Sequence, residues 1–218
     1  MSKSDQHLGL ERILFFSDAV MAIAITLLAL DLKIPEPDAA GADQLAGRLL
    51  QIAPQLLIFL LSFALSGFYW AAHHRYFRFI QRYDSRLIAL NLVFLFFVVC
   101  IPFVASLIGR YGSVPLAVVV YSVTIAALGL SLAAIWSYAT RRHRLTAPDL
   151  DAATIRAAKI RLLGGPIVIL LAAPFAYFGR GVAITAWALA AVGVLAVVRW
   201  SRASQASHRH HRGRAARV

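Results

Sequence analysis

Long apolar stretches are the feature that most constrains how this chain can fold. A bilayer core about 30 Å thick is crossed by roughly 20 mostly apolar residues in a helix. Six stretches of suitable length occur, near residues 12–32, 49–77, 87–108, 114–138, 155–178 and 182–200. Of the 218 residues, 60% are hydrophobic and only 15% are charged. The sequence therefore predicts an all-α membrane protein with six transmembrane helices per subunit.

The first span is predicted to remain in the mature protein. It is too long for the apolar region of a signal peptide, and no small-residue cleavage site precedes Pro35. We expect residues 1–11 to be a cytoplasmic N-terminus and residues 12–200 to be the membrane domain. Residues 201–218 are polar, basic and of low complexity, so they are predicted to be a disordered cytoplasmic tail.

The placement of basic residues predicts the orientation in the membrane. If the N-terminus is cytoplasmic, 18 of the 22 Lys and Arg residues fall in inside segments, and the outside segments hold only Lys33, Arg48, Arg110 and Arg180. This bias predicts that both termini are cytoplasmic. The basic inner loops and tail are expected to contact anionic lipid. No nucleic-acid partner is predicted, because the arginines that alternate with aromatic residues after the second span are typical of interfacial anchoring.

The segment between the first two spans, residues 33–48, reads KIPEPDAAGADQLAGR. Its proline, glycine and acidic residues predict an extended turn and not a further helix. This outer mouth is locally acidic, which either raises the nearby cation concentration or is the ordinary charge of a solvated loop.

No catalytic or metal-binding residues are predicted. Cys100 is the only cysteine, so no internal disulfide can form. His208, His210 and His211 in the tail lack acidic partners and do not predict a metal site. No nucleophile-elbow or HExxH motif argues for an enzyme. A channel, a secondary transporter and a non-conducting accessory membrane protein remain, although the chain shows no internal repeat of the transporter kind.

One stripe of the first span has two interpretations. At about 100° per residue, five side chains fall on one side of the helix: Ala19, Ile23, Thr26, Leu27 and Leu30. Apolar stripes are commonly packing surface. Alternatively, copies of this stripe face each other across an axis and form a narrow apolar constriction, to which Thr26 adds hydroxyl groups.

Ser17 and Asp18 lie about 120° and 140° away from Ile23, on other faces of the first span. A carboxylate inside the membrane costs about 2.5–3.5 kcal/mol on insertion scales, so Asp18 is predicted to have partners. Candidates at comparable depth are Arg12, His73, His74 and Asn91. Asp18 is either a structural ion-pair member or a gating or pH-sensing group.

A motif connects these residues to a known family. Arg12, Phe16, Ser17 and Asp18 spell RxxxFSD at the start of the first span. Residues 67–103 add a tryptophan and a histidine on the second span, then an asparagine and Pro-Phe on the third. The first half of the chain thus resembles the bacterial branch of the lysosomal potassium channel family, transmembrane protein 175. The second half resembles it mainly in hydropathy.

The resemblance implies a homotetrameric, potassium-selective channel of the bacterial cell membrane that conducts K⁺ passively, with no cofactor besides the permeant ion. It implies a pore lined by the first span of each subunit around the oligomer axis, with Ile23 as the main apolar restriction. The implied pore-lining residues are Ile23, Thr26, Leu27 and Leu30. A polar network that holds the first span to the next two is predicted to contain Arg12, Ser17, Asp18, His73 and Asn91.

Overall fold

The computed structural model describes residues 3–33 and 45–178. In that part of the chain the α-helices are α1 (Lys3–Leu27), α2 (Leu45–Gln51), α3 (Ala53–Phe77), α4 (Ser85–Tyr111), α5 (Pro115–Thr140) and α6 (Ala152–Ala172). Among the described residues, five helical segments are long and apolar enough to cross a membrane: Ser4–Asp31, Ala53–Phe77, Ser85–Tyr111, Pro115–His143 and Ala152–Phe178. The predicted all-α membrane fold is confirmed. The sixth predicted span, residues 182–200, and the tail, residues 201–218, lie outside the described residues.

Helix α1 differs from the predicted first span at both ends. It begins at Lys3, so the segment expected to be a separate N-terminus is part of the helix. The α-helix ends at Leu27, and a 3₁₀ turn follows over Leu28–Asp31. Side chains three residues apart eclipse each other in a 3₁₀ helix. Leu30 therefore lies directly above Leu27, whereas in a continuing α-helix the two side chains would differ by about 60° around the axis.

The segment between α1 and α3 contains a short helix that the sequence analysis did not predict. Helix α2 occupies Leu45–Gln51, so the prediction of an extended turn is wrong for the end of that segment. The prolines lie within residues 34–44, outside the described residues, whereas most of LAGRLLQ favours a helix. Helix α3 then begins with Pro54 in its first turn, where a missing N–H breaks no helical hydrogen bond.

The loop between α3 and α4 is fixed by a helix cap and by contacts with the first turns of α1. Asp84 caps α4 by accepting from the Leu87 backbone N–H at 2.9 Å. The backbone N–H of Tyr83 donates to the Gln6 side-chain oxygen at 3.0 Å. A Cβ atom at Gly9 would overlap the Tyr83 ring, so the first turns of α1 pack against the α3–α4 loop.

Helix α5 is the centre of the described bundle and packs against α4 on one side and α6 on the other. Its side chains Leu128, Leu132, Ile135 and Trp136 are buried. A Cβ atom at Gly129 would overlap Pro166 and lie 2.6 Å from the Tyr69 hydroxyl. The missing side chain thus lets α3, α5 and α6 approach closely. Helix α6 continues through Pro166, and Pro174 lies in the 3₁₀ segment Ala173–Phe178.

Candidate pore-lining helix and its polar network

Two opposite faces of α1 have contrasting environments. One face is buried against α3 and α4 and carries Ser17, Met21, Ala24 and Leu28. The other face carries Ala19, Ile23, Thr26 and Leu30, all exposed. In both sets, successive residues are four, three and four positions apart in the sequence. The second set is shifted by two residues from the first, which is about 200° around the helix axis. Helix α1 therefore packs on its own subunit with one face only. We call the second set, together with Leu27, the open face.

The open face is uncovered by the part of the chain that the structure describes. The exposed fraction is 60% for Ile23, 41% for Leu27 and 72% for Leu30. The Thr26 hydroxyl donates to the Ile23 carbonyl oxygen at 2.8 Å. This bond fixes the hydroxyl hydrogen, so the lone pairs of the Thr26 oxygen stay available to a cation.

Arg12 and Phe16 extend this exposed strip toward the first turns of α1. Arg12 lies seven residues before Ala19, and Phe16 lies seven before Ile23, so each repeats the position of an open-face residue. Both side chains are exposed. Within the described chain, Arg12 has no hydrogen bond or ion pair. The structure thus places Arg12 apart from the polar network in which it was expected.

Ser17, Asn91 and His73 form a continuous hydrogen-bonded chain between α1, α4 and α3. His73 Nε2 and the Asn91 carbonyl oxygen are 2.9 Å apart. The Asn91 amide nitrogen donates to the Ser17 hydroxyl at 2.9 Å. The Ser17 hydroxyl in turn donates to the Ile13 carbonyl at 2.8 Å. All three side chains are buried.

The surroundings of His73 fix its orientation. Because the Asn91 carbonyl can only accept, Nε2 of His73 must carry the proton that it donates. The imidazole lies between the rings of Phe77 and Phe94, at centroid distances of 4.1 and 5.1 Å. Nδ1 of His73 is buried and has no partner among the described residues. This arrangement suits a neutral ring, since a proton on Nδ1 would be a buried donor without an acceptor.

Asp18 has a partner that the sequence analysis did not choose. Its carboxylate accepts from the Trp70 indole N–H of α3 at 2.9 Å. Trp70 also stacks on His74, one turn further along α3, at 6.1 Å between ring centroids. The sequence drew attention to Trp70 only through the family pattern. The indole N–H could have indicated this pairing from the sequence, because it only donates and therefore suits a carboxylate at the same depth.

The outer end of α1 is joined to α4. Arg110 donates to the Asp31 carboxylate at 2.7 Å, at the end of the 3₁₀ turn. Both side chains are partly exposed, so the pair positions the turn more than it stabilises the fold. Across residues 3–33 and 45–178, no group of three or more His, Cys, Asp or Glu side chains is arranged to hold a metal ion.

Comparison with known proteins identifies the family. A family model described as endosomal/lysosomal potassium channel TMEM175 matches residues 12–102, which contain the open face and the hydrogen-bonded residues Ser17, His73 and Asn91. A protein of Streptomyces collinus named as a potassium channel is 36% identical over 169 residues, covering 74% of this chain and 81% of that protein. The chain belongs to the TMEM175 family. This is an ion channel family and not an enzyme family.

Two further TMEM175 relatives differ in the ion that their names give. The crystal structure of a lysosomal potassium-selective channel TMEM175 homologue from Chamaesiphon minutus has a TM-score of 0.72 and 29% identity, covering 87% of this chain and 98% of that one. The human protein, named endosomal/lysosomal proton channel TMEM175, is 30% identical over 175 residues. The match covers 77% of this chain but only 34% of the human protein.

Proposed function

We propose that this chain is a subunit of a potassium-selective channel that conducts K⁺ passively, with α1 of each subunit lining the pore. The observation that carries this proposal is the open face of α1. That face belongs to the helix that contains the family signature, yet no described part of the subunit covers it. The bacterial relatives named as potassium channels support the choice of ion.

The polar network supports this role by fixing the rotation of α1. Turning the helix by one residue moves each side chain by about 100°, which would take Ser17 away from Asn91. The hydrogen bonds therefore hold the buried face inward and the open face outward. In a homotetramer, four open faces would surround one axis.

Ile23 would form the main constriction of that pore. Hydrophobic constrictions gate by dewetting, because a narrow apolar ring does not replace the water that an ion loses. K⁺ gives up its hydration water more readily than the smaller Na⁺, so a weakly coordinating neck favours K⁺. The Thr26 oxygen, one turn further along, would replace part of the lost hydration. Leu27 and Leu30 would line the outer half of the pore.

The remaining features of the proposal concern the setting of the channel. We infer a homotetramer in the bacterial cell membrane, with both termini cytoplasmic and anionic lipid at the basic inner surface. Residues 12–200 would form the membrane domain, flanked by residues 1–11 and by the basic tail, residues 201–218. The channel would need no catalytic residue and no cofactor besides the permeant K⁺.

The test is a flux assay with purified protein in liposomes, comparing K⁺ and Na⁺ efflux down equal gradients. Ile23→Asn should wet the neck and raise Na⁺ flux relative to K⁺ flux. Ile167→Asn is the matched control, because it makes the same change at an exposed position of α6. It should leave the ratio of K⁺ to Na⁺ flux unchanged.

Three outcomes would count against the proposal. An unchanged flux ratio in Ile23→Asn would remove Ile23 from the constriction. Efflux that still requires one particular ion on the opposite side, when a proton ionophore already compensates the charge, would indicate a secondary transporter. Folded protein without flux of either ion would favour the accessory-protein alternative. A pH-sensitive dye inside the vesicles tests proton conduction, which the name of the human relative suggests for that protein.

A further inference from the structure

The 3₁₀ turn Leu28–Asp31 at the C-terminal end of α1 is not explained by its own sequence. The turn reads LALD, and leucine and alanine are among the strongest α-helix formers. Pro35 explains why the helix stops before Ile34, because a proline disfavours the α conformation of the residue before it. It does not explain why the helix tightens already at Leu28. The cause therefore lies in a contact outside the turn.

The tighter winding turns Asp31 toward α4. Side chains three residues apart are aligned in a 3₁₀ helix, so Asp31 lies directly above Leu28, which is buried against the other helices. A continuing α-helix would turn Asp31 about 60° away from Leu28 and bring it about 1.5 Å nearer along the axis. In the 3₁₀ form, the Arg110 guanidinium donates to the Asp31 carboxylate at 2.7 Å. The ion pair thus fits the 3₁₀ form of the turn.

Packing holds the end of the turn less firmly than its start. A cavity of about 20 Å³ lies beside Leu28 and is also lined by Asp31 and by Ser106 of α4. Ser106 offers only a neutral hydroxyl, whereas Arg110 supplies a full charge. Because 3₁₀ turns are frequent at the ends of α-helices, the two forms of a single turn differ little in free energy. A partly exposed ion pair is therefore sufficient to select one of them.

The form of the turn decides the direction of Leu30. In the 3₁₀ form, Leu30 lies above Leu27, which is about 40° from Ile23 around the axis. In a continuing α-helix, Leu30 would follow Ile23 by seven residues, which places the two side chains within about 20° of each other. Leu30 would then lie between the directions of Ile23 and Thr26. The α form would therefore move Leu30 from the side of the open face to its centre.

We propose that Arg110 is a positioning residue for the pore: through Asp31 it holds the turn in the 3₁₀ form and keeps Leu30 at the side of the open face. This inference rests on the proposed function, in which the open face lines the ion path. Without the ion pair the turn takes the α form, and Leu30 narrows the apolar path beyond Ile23. Arg110 acts on the ion path only through Asp31 and Leu30.

The first measurement is K⁺ flux through the purified full chain in liposomes, at about 1 M salt, where a Debye length of about 3 Å suppresses long-range effects of charge. Arg110→Gln should lose K⁺ flux. Removal of a positive charge would by itself act in the opposite direction, because a positive charge repels K⁺. Arg86→Gln is the matched control and should keep wild-type flux, since it removes an exposed charge from the other end of α4.

A second substitution tests whether the loss of flux passes through Leu30. Leu30→Ala shortens the side chain that would narrow the path. Adding Arg110→Gln to Leu30→Ala should therefore leave the flux at the value of Leu30→Ala alone. A further loss in the double variant would show that Arg110 affects the pore by another route.

Reversal of the pair separates the ion pair from general effects of substitution. Arg110→Asp places two carboxylates opposite each other, so it should lose K⁺ flux as Arg110→Gln does. Adding Asp31→Arg restores the pair with opposite polarity and should recover the flux. This reversed pair is also the informative variant if Arg110→Gln does not fold. Failure of the reversed pair to recover flux in folded protein would contradict the proposal.

NMR in liposomes tests the form of the turn independently of conduction. With labelled leucine and aspartate, a contact between Hα of Leu28 and the amide proton of Leu30 marks the 3₁₀ form. A contact between Hα of Leu27 and the amide proton of Asp31 marks the α form. Wild type, Arg86→Gln and the reversed pair should show the first contact. Arg110→Gln should show the second.

The two readouts separate this inference from the proposed function. A 3₁₀ contact that persists in Arg110→Gln would overturn the inference, whatever the flux. A change to the α contact with unchanged flux would show that the direction of Leu30 does not affect the ion path, and would overturn the role of Arg110 in the pore. If the wild type conducts no ion but the turn changes form in Arg110→Gln, the control of the turn by Arg110 is supported and the proposed function is wrong.

Discussion

Asn91 of α4 and Ser17 of α1 are joined by a buried hydrogen bond of 2.9 Å, in which the asparagine amide donates to the serine hydroxyl. The other end of the same amide accepts from His73 of α3. One side chain thus connects three helices and uses both its donor and its acceptor. A leucine of similar size at position 91 would fill the space but leave His73 and Ser17 without their partner.

Asn91→Leu should lower the free energy of unfolding by about 1–3 kcal/mol, because it leaves buried polar groups unpaired. The measurement is reversible unfolding in one detergent, with Leu92→Ala as control, since Leu92 is its half-exposed neighbour on α4. In a double-mutant cycle, Ser17→Ala and Asn91→Leu should couple by about 0.5–3 kcal/mol. Purely additive losses would mean that the hydrogen bond contributes little.

Trp70→Phe should lower the free energy of unfolding by about 1 kcal/mol or less, although hydrogen bonds to charged groups can contribute more. The reason is exposure: Trp70 is 45% exposed, so water competes for the Asp18 carboxylate. In an Asp18→Asn background the cost should fall by about half, since charge-assisted bonds are about twice as strong as neutral ones. Unfolding of the four variants measures both values. The same cost in both backgrounds would assign the contribution of Trp70 to its stacking on His74.

Much of the fold was readable from the sequence because its determinants are local. The length of each apolar stretch decides whether it can span a membrane, and the five described spans confirm the prediction. The structure also brings together Ser17, His73 and Asn91, which were grouped by residue type and depth. Buried polar groups in a membrane must be satisfied by one another, so matching types at equal depth find each other.

The remaining features depend on contacts between distant segments. Arg12 was assigned to the network by its depth and by the family motif, yet its seven-residue spacing from Ala19 places it in line with the open face. Trp70 was overlooked as the Asp18 partner because tryptophan is usually considered an apolar anchor. The helical extension before Arg12 docks on Tyr83, and no periodicity within α1 indicates that contact.

Gly129→Ala should lower the free energy of unfolding by about 1–3 kcal/mol, the usual cost of overpacking. The added methyl group would overlap Pro166 and lie 2.6 Å from the Tyr69 hydroxyl, and both residues are buried. Gly67→Ala is the matched control, because it is also within a membrane-spanning helix but its Cβ meets nothing within 4 Å. It should be neutral or stabilising by up to about 1 kcal/mol through helix propensity. Equal effects at both positions would contradict the close approach of α5 and α6.

Asp84, the N-cap residue of α4, predicts an acid-dependent stability. Burial alone raises the pKa of Asp84, but hydrogen bonds from Tyr138 and Leu87, with the nearby charge of Arg144, lower the pKa below its ordinary value of 3.8. A lowered folded-state pKa means that the ionised group stabilises the fold above the unfolded pKa. That contribution is lost as the pH falls through the folded-state pKa.

The melting temperature of the wild type should therefore fall as the pH drops below about 4. Asp84→Asn should be less stable at neutral pH and show a flatter dependence over the acid range. Asparagine is also an effective N-cap, so the variant keeps the cap of α4 while it loses the charge. Tm measured against pH for both proteins is the test. Parallel curves would show that Asp84 does not contribute to the acid dependence.

Arg12→Gln tests whether Arg12 belongs to the ion path or to the polar network. Arg12 is exposed and has no partner in the described chain, so the substitution should change the free energy of unfolding by less than about 0.5 kcal/mol. If four such arginines surround the inner mouth of the pore, removing them should raise K⁺ flux. The increase should be larger at about 0.01 M salt, where the Debye length is about 30 Å, than at about 1 M, where it is about 3 Å.

Arg156→Gln is the control for Arg12→Gln, because it removes an exposed charge from α6, a helix that packs against α5. It should leave the salt dependence of flux unchanged. A loss of stability in Arg12→Gln as large as that in Asn91→Leu would indicate that Arg12 belongs to the polar network. Unchanged stability together with unchanged flux at low salt would place Arg12 away from the ion path. Only unchanged stability with a salt-dependent gain in flux fits a strip that runs from Arg12 through Ile23 to Leu30 along one pore.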